Sequence, residues 1–188
     1  MNLDVLKTMA RKEGFDLIRR PGQDLNKIYP PEKLPAWNGW YKLSQLSPKD
    51  FRKHRSSLDF KRLCGIYLIA ESKEMPKRCD ETEAEVDYIG QTTNLKTRLY
   101  TFYRVAGGFK GNHWGGHMFW EQTKPEHLQR REHLYFAFRV FPWEDRSLLT
   151  HLEKETITTW TQAQGSPNKG PWLNRGRTAG DKSSENQK

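Results

Sequence analysis

Cys64-Gly65-Ile66-Tyr67-Leu68-Ile69-Ala70 and Val86-Asp87-Tyr88-Ile89-Gly90-Gln91 are the two stretches that decide how this chain reads. Both are apolar and rich in β-branched or aromatic residues, the composition of strands. Acidic, basic and proline residues fill the gap, with Met75-Pro76 near its centre. Two strands across a polar loop make a hairpin. Side chains alternate across a strand. Gly65, Tyr67 and Ile69 therefore share one face of the first, and Val86, Tyr88 and Gly90 share one face of the second. Paired as neighbours, the strands bring Tyr67 and Tyr88 together on one side. Core packing is the usual fate of strand tyrosines, so convergence alone does not separate packing from chemistry.

Downstream, Thr92-Thr93-Asn94 offers capping side chains for a helix. Leu95, Leu99, Phe102 and Tyr103 then recur at i, i+4, i+7 and i+8, which predicts a helix packed on the sheet. Arg98 lies beside that stripe. From 106 to 118 five glycines predict a loop carrying His113 and His117, with a short helix from Phe119. Residues 134–141 alternate as a third strand ended by Pro142. The last long helix is expected over about 147–162, broken by Gly165 and Pro167.

Upstream, 1–13 reads as a short amphipathic helix. Pro21-Gly22, Pro30-Pro31 and Pro35 make 21–38 an irregular arm, pinned by Trp37, Trp40 and Tyr41. Ser47-Pro48 reads as a helix start. The helix it opens carries Lys49, Arg52, Lys53, His54 and Arg55. Phosphate contact and an ordinary solvated surface are evenly balanced readings of that helix.

Charge distribution sharpens this. The 188 residues carry a formal net charge of +9. Residues 1–64 hold 14 Lys/Arg against 7 Asp/Glu, whereas 65–177 hold 16 against 14. The excess sits ahead of the hairpin and suits a polyanionic partner. Chain length allows a real core. No apolar run approaches the roughly 20 residues of a membrane span, and the start lacks the apolar block of a secretory signal. Two cysteines, Cys64 and Cys79, are too few to staple a small fold. A cytoplasmic or otherwise intracellular protein is expected.

Helical geometry isolates one acid. At about 100° per residue, with Leu149 as zero, Trp160 falls near about 20°, Glu153 near about 40° and Ile157 near about 80°. Glu153 interrupts the apolar stripe, while Glu155 falls near about 240°, on the far side. A carboxylate on a buried face needs a partner, and a divalent cation or an arginine would serve.

The triplets Gly65-Ile66-Tyr67 and Tyr88-Ile89-Gly90, in this order and followed by a helix with an arginine, resemble the GIY-YIG nuclease family. The resemblance covers about 65–174. It implies a small α/β module, a three-stranded, largely antiparallel sheet flanked by helices, over 64–177. A basic N-terminal extension would occupy 1–63 and a flexible tail 178–188.

The implied activity is a divalent-metal-dependent DNA endonuclease that hydrolyses phosphodiesters. By resemblance, Tyr67 is the general base, Tyr88 assists, and Arg98 contacts the phosphate. Leu152-Glu153-Lys154-Glu155-Thr156-Ile157 is similar to the family's Leu-Glu-x-x-x-Ile segment and places the Mg²⁺ (or Mn²⁺) ligand at Glu153. Asn174 matches a closing asparagine, with Asn168 as the alternative. His113 resembles a loop histidine of some members. The expected DNA contacts are Lys49, Arg52, Lys53, Arg55, Gln91 and Lys96, and a homodimer would allow both strands to be cut.

Two positions depart from the family pattern. Gln91 stands where many relatives have lysine. Phe102 stands where many have histidine or tyrosine, a role Tyr100, Tyr103 or His113 could fill. Three other readings stay open: a module on this scaffold that binds DNA without cutting, a basic protein meeting an acidic partner, and a structural zinc site from Cys64, Cys79, His113 and His117.

Overall fold

The computed structural model describes residues 34–46, 63–165 and 171–174. Four strands form one sheet: β1 (Asn38–Lys42), β2 (Cys64–Glu71), β3 (Val86–Thr92) and β4 (Leu134–Phe141). Their order is β1-β4-β2-β3, and every pairing is antiparallel. Among the described residues four α-helices accompany them: α1 (Leu95–Ala106), α2 (Trp114–Thr123), α3 (His127–Arg131) and α4 (Leu149–Ala163). The mixed α/β class is as expected, but the sheet has four strands rather than three.

The extra strand comes from the segment assigned to the extension. Asn38–Lys42 pairs with β4, with a register irregularity between Asn38 and Tyr41. Trp40 points into one core layer, while Tyr41 packs on Phe136 and Phe138 at ring distances of 5.4 and 6.1 Å in the other. The pin expected of these aromatics is thus a cross-strand pairing. Five residues beside a proline-rich stretch carry too little periodicity to announce a strand.

The sheet separates two cores. Ile66, Leu68, Ala70 and Ile89 face α4, which contributes Leu149, Leu152 and Trp160. Tyr67, Ile69 and Tyr88 face the other way, with Leu95, Leu99 and Phe102 of α1 and Phe119 of α2. Val86 departs from the predicted alternation and joins the first core. Ile69 pairs with Tyr88 and Ala70 with Val86, so Asp87 is an extra residue in β3. Such a bulge inverts the facing of everything beyond it.

α1 is built as the stripe predicts. Asn94 caps it by accepting from Thr97 N–H at 3.1 Å, and Leu95, Leu99 and Phe102 are buried. α4 follows the 3₁₀ segment Trp143–Leu148 and ends near Gly165, whose φ of +62° suits glycine. α2 starts at Trp114, inside the expected loop. A Cβ on Gly115 would sit 2.7 Å from the Tyr88 ring, and one on Gly116 would sit 3.0 Å from the Phe102 carbonyl. These glycines let two helices and a strand approach closely.

The 72–85 connection is fastened to the α4 side by indoles. Trp40 Nε1–H donates to Arg78 O (2.6 Å), Trp160 Nε1–H donates to Glu83 O (3.0 Å), and Trp37 donates to Glu81. Among the described residues no helix is long and apolar enough to cross a membrane.

Candidate active site

The hairpin brings the two triplets together. Tyr67 pairs with Gly90 across the β2–β3 ladder, and the Tyr67 and Tyr88 rings lie 5.9 Å apart. The glycines make this possible. A Cβ on Gly90 would sit 2.5 Å from the Tyr67 hydroxyl and 2.6 Å from the Tyr88 ring. A Cβ on Gly65 would sit 2.0 Å from the Arg139 carbonyl oxygen on β4. Approaches under 3 Å to backbone or ring cannot relax cheaply, so both positions exclude any side chain.

His113 reaches Tyr67 from the end of the 107–113 loop. Its Nδ1 accepts the Gly116 N–H at 3.3 Å and caps α2. A neutral imidazole nitrogen that accepts carries no proton, so the proton lies on Nε2. Nε2 is 3.0 Å from the Tyr67 hydroxyl oxygen. The cap therefore sets the tautomer, and His113 donates to Tyr67. Phe102 holds the ring in place edge-on, with centroids 4.9 Å apart at 82°.

Of the three residues that could stand in for Phe102, His113 is the one placed on Tyr67. Tyr103 turns away and donates to Glu132 at 3.0 Å. Tyr100 lines an outer cleft. His117 is exposed and pairs with the Gly111 carbonyl at 2.8 Å.

Arg98 projects from α1 to the same pair of phenols. Burial would lower its ionisation, but the two tyrosines outweigh that and raise it, so it stays a cation. Its Nη1 donates to Asn112 O at 3.1 Å, which ties α1 to the 107–113 loop. Its Nε is buried and makes no hydrogen bond.

Tyr67 is fully buried, and its ionisation is pushed well above the usual tyrosine value. Desolvation is the main cause and Tyr88 adds to it, while the charge and hydrogen bond of Arg98 pull the other way. At neutral pH Tyr67 is a phenol.

Glu153 is 5% exposed in the inward stripe of α4, and its negative charge is one of the causes that raise Tyr67. Glu155 points outward, with 60% of its side chain exposed and His151 Nε2 at 3.8 Å. The helical angles separate the two acids as the structure does. Mg²⁺ keeps several waters and takes one or two protein carboxylates together with substrate phosphate. A single inward carboxylate suits such an ion. Among the described residues no group of three or more His, Cys, Asp or Glu could hold a metal by itself. The four residues considered for zinc have other partners: Cys64 donates to Phe141 O (3.0 Å), Cys79 donates to Asn38 O (3.3 Å), and the histidines are engaged as above.

Asn174, in the 3₁₀ turn Trp172–Asn174, bonds twice to Ile89, the middle residue of the second triplet. Trp172 beside it donates to the Asp87 carboxylate, whose other oxygen accepts the Glu71 N–H at 2.7 Å. Burial pushes Asp87 up to about 7 against the pull of these donors. Nothing in the sequence pattern singled this acid out except its place between Val86 and Tyr88 in a strand.

Gln91 pairs with Ile66 on β3 and Lys96 lies in the first turn of α1, both half-buried. Lys49, Arg52, Lys53, Arg55 and Asn168 lie outside the described residues. Arg104 and Lys110, which line the cleft beside Arg98, were not among the cations expected to meet DNA. The signal that could have marked them is the polar row Thr97, Thr101 and Arg104 at i, i+4 and i+7, opposite the apolar stripe.

No protein-family model, no curated protein and no solved structure matches this chain.

Proposed function

We propose that this chain is a divalent-metal-dependent DNA endonuclease of the GIY-YIG type that hydrolyses phosphodiester bonds. The observation that carries the reading is the grouping of Tyr67, Tyr88, Arg98 and His113 around one phenolic oxygen. Core packing alone does not require an arginine and a tautomer-locked histidine to meet there.

Each side chain has a task in this reading. Arg98 is permanently charged and can offer a phosphate two parallel N–H groups. Tyr67 accepts from His113, lies within reach of Arg98 and is a phenol at neutral pH, so as general base it would take a proton from the attacking water while passing its own hydroxyl proton to a phosphate oxygen. Tyr88 packs beside it and keeps bulk solvent from the group. Glu153 would hold Mg²⁺ or Mn²⁺, which when bound neutralises phosphate charge and lowers the pKa of its water. Asn174 keeps the second triplet in register.

A second reading is favoured by one observation: Tyr67, Tyr88 and His113 are all fully buried. A scaffold that binds DNA through its cations and does not cut would look the same. Nicking of supercoiled DNA with Mg²⁺ and with EDTA separates the two. The endonuclease reading expects Mg²⁺-dependent nicking that disappears in Glu153→Gln; no nicking under any divalent ion would leave the binding module.

A further inference from the structure

A cleft of about 570 Å³ lies between the outward face of α1 and the 107–113 loop. Its charged lining residues are Arg98, Arg104 and Lys110, and among the described residues no carboxylate lines it. Thr97, Thr101 and Asn112 supply neutral polar groups beside them. Arg104 and Lys110 are exposed, and neither makes a salt bridge among the described residues. Exposed cations in a groove without counter-charge are an anion site by elementary electrostatics.

The spacing says what kind of anion. Arg98 and Arg104 are six residues apart on one helix, about 9 Å along its axis. Several cations along one groove suit a run of phosphates, and a DNA strand presents one about every 3.4 Å along the duplex axis. Lys110 adds a third charge on the opposite wall. Phe109, 56% exposed, has the Arg104 guanidinium 5.6 Å from its ring centre.

We propose that this cleft seats the DNA backbone flanking the phosphate held at Arg98, with Arg104 and Lys110 as its phosphate contacts. The proposal rests on the endonuclease reading for the role of Arg98. It adds α1 and the loop that follows it to the DNA contacts expected of the basic helix near 47–55, which lies outside the described residues.

The test is the salt dependence of binding of the full chain to a labelled DNA duplex, measured by anisotropy in EDTA so that no cutting occurs. Arg104→Ala/Lys110→Ala should flatten the log–log slope by about 1.8, at about 0.9 for each phosphate that is no longer neutralised. Lys73→Ala/Lys77→Ala removes the same charge from the exposed 72–85 connection and should leave the slope unchanged. An unaltered slope in the first variant, or an equal flattening in the second, would overturn the cleft. The two readings fail separately. A wild-type protein whose slope depends on Arg104 and Lys110 but which never nicks DNA keeps the cleft and loses the endonuclease. A protein that nicks normally and whose first variant keeps the wild-type slope does the reverse.

Discussion

Asn174 and Ile89 exchange two hydrogen bonds of 2.8 Å: the side-chain Oδ1 accepts the Ile89 N–H, and Nδ2 donates to the Ile89 carbonyl. β3 is an edge strand, and the amide of one side chain takes the place of the missing neighbour. Asn174→Ala would leave a buried donor and a buried acceptor unpaired at about 1–3 kcal/mol each. Denaturant unfolding should show a loss of about 2–6 kcal/mol. Asn174→Asp keeps the acceptor but turns a carboxylate oxygen on the Ile89 carbonyl, and should be no better. A loss below about 1 kcal/mol would mean that water replaces the amide.

Glu153 and Glu155 are two residues apart and oppositely disposed. Glu153→Gln keeps shape and removes charge, so Mg²⁺-dependent nicking should vanish while DNA binding persists or tightens. Glu155→Gln should nick normally, since its partner is an exposed histidine worth at most a few tenths of a kcal/mol. The reverse pattern would refute the metal assignment, and two active variants would remove any acid on this helix from the reaction.

His113 performs two tasks with two nitrogens. Asparagine is a good helix cap and can accept the Gly116 N–H, but its amide is too short to reach Tyr67. His113→Asn should therefore keep the α2 cap while losing the buried ring packed on Phe102, so the melting temperature should fall without loss of the fold. It should lower nicking by about 10–100-fold, the usual cost of losing a group that orients another. Loss of a donor to the Tyr67 oxygen should also raise that phenol's ionisation further in an absorbance titration, with Tyr67→Phe identifying the signal. Unchanged nicking and unchanged ionisation would leave His113 as a cap alone.

Asp87 makes stability depend on pH. Its carboxyl is raised by burial to about 7 in the folded protein, against about 3.9 in an unfolded chain. Between those values the unfolded state has already released the proton and the folded state has not. Folding stability is therefore greatest below about pH 4 for this group and falls as pH rises towards 7, levelling off above. At 1.36 kcal/mol per unit the fall is at most roughly 4 kcal/mol. Denaturant melts at pH 5 and pH 8 should differ in that direction, and Asp87→Asn should flatten the difference. Equal pH dependence in the variant would assign the effect elsewhere.

The parts legible in the sequence are those with a long period. β2, β4, α1 and α4 have apolar patterns that hold over eight or more residues, and the alternation of β2 with the Tyr88–Gly90 part of β3 is enough to place Tyr67 against Tyr88. The inward turn of Glu153 follows from helical angle alone. β1 was hidden because five residues acquire strand character only through pairing with β4. The start of α2 was hidden because Gly115 and Gly116 look like loop residues; their neighbours, a ring and a carbonyl, are distant in sequence. The bulge at Asp87 and the cleft at Arg104 and Lys110 exist only in three dimensions.

The glycines of the two triplets also bear on how such sequences evolve. Gly65 is fixed by a carbonyl and Gly90 by two aromatic rings, whatever the protein does. A descendant that lost its reaction would still be selected to keep both, because the sheet could not close otherwise. The triplet glycines are therefore requirements of the architecture. On the proposed endonuclease reading, the positions free to change once cleavage no longer mattered would be Arg98 and Glu153, where a substitution would leave the hairpin standing.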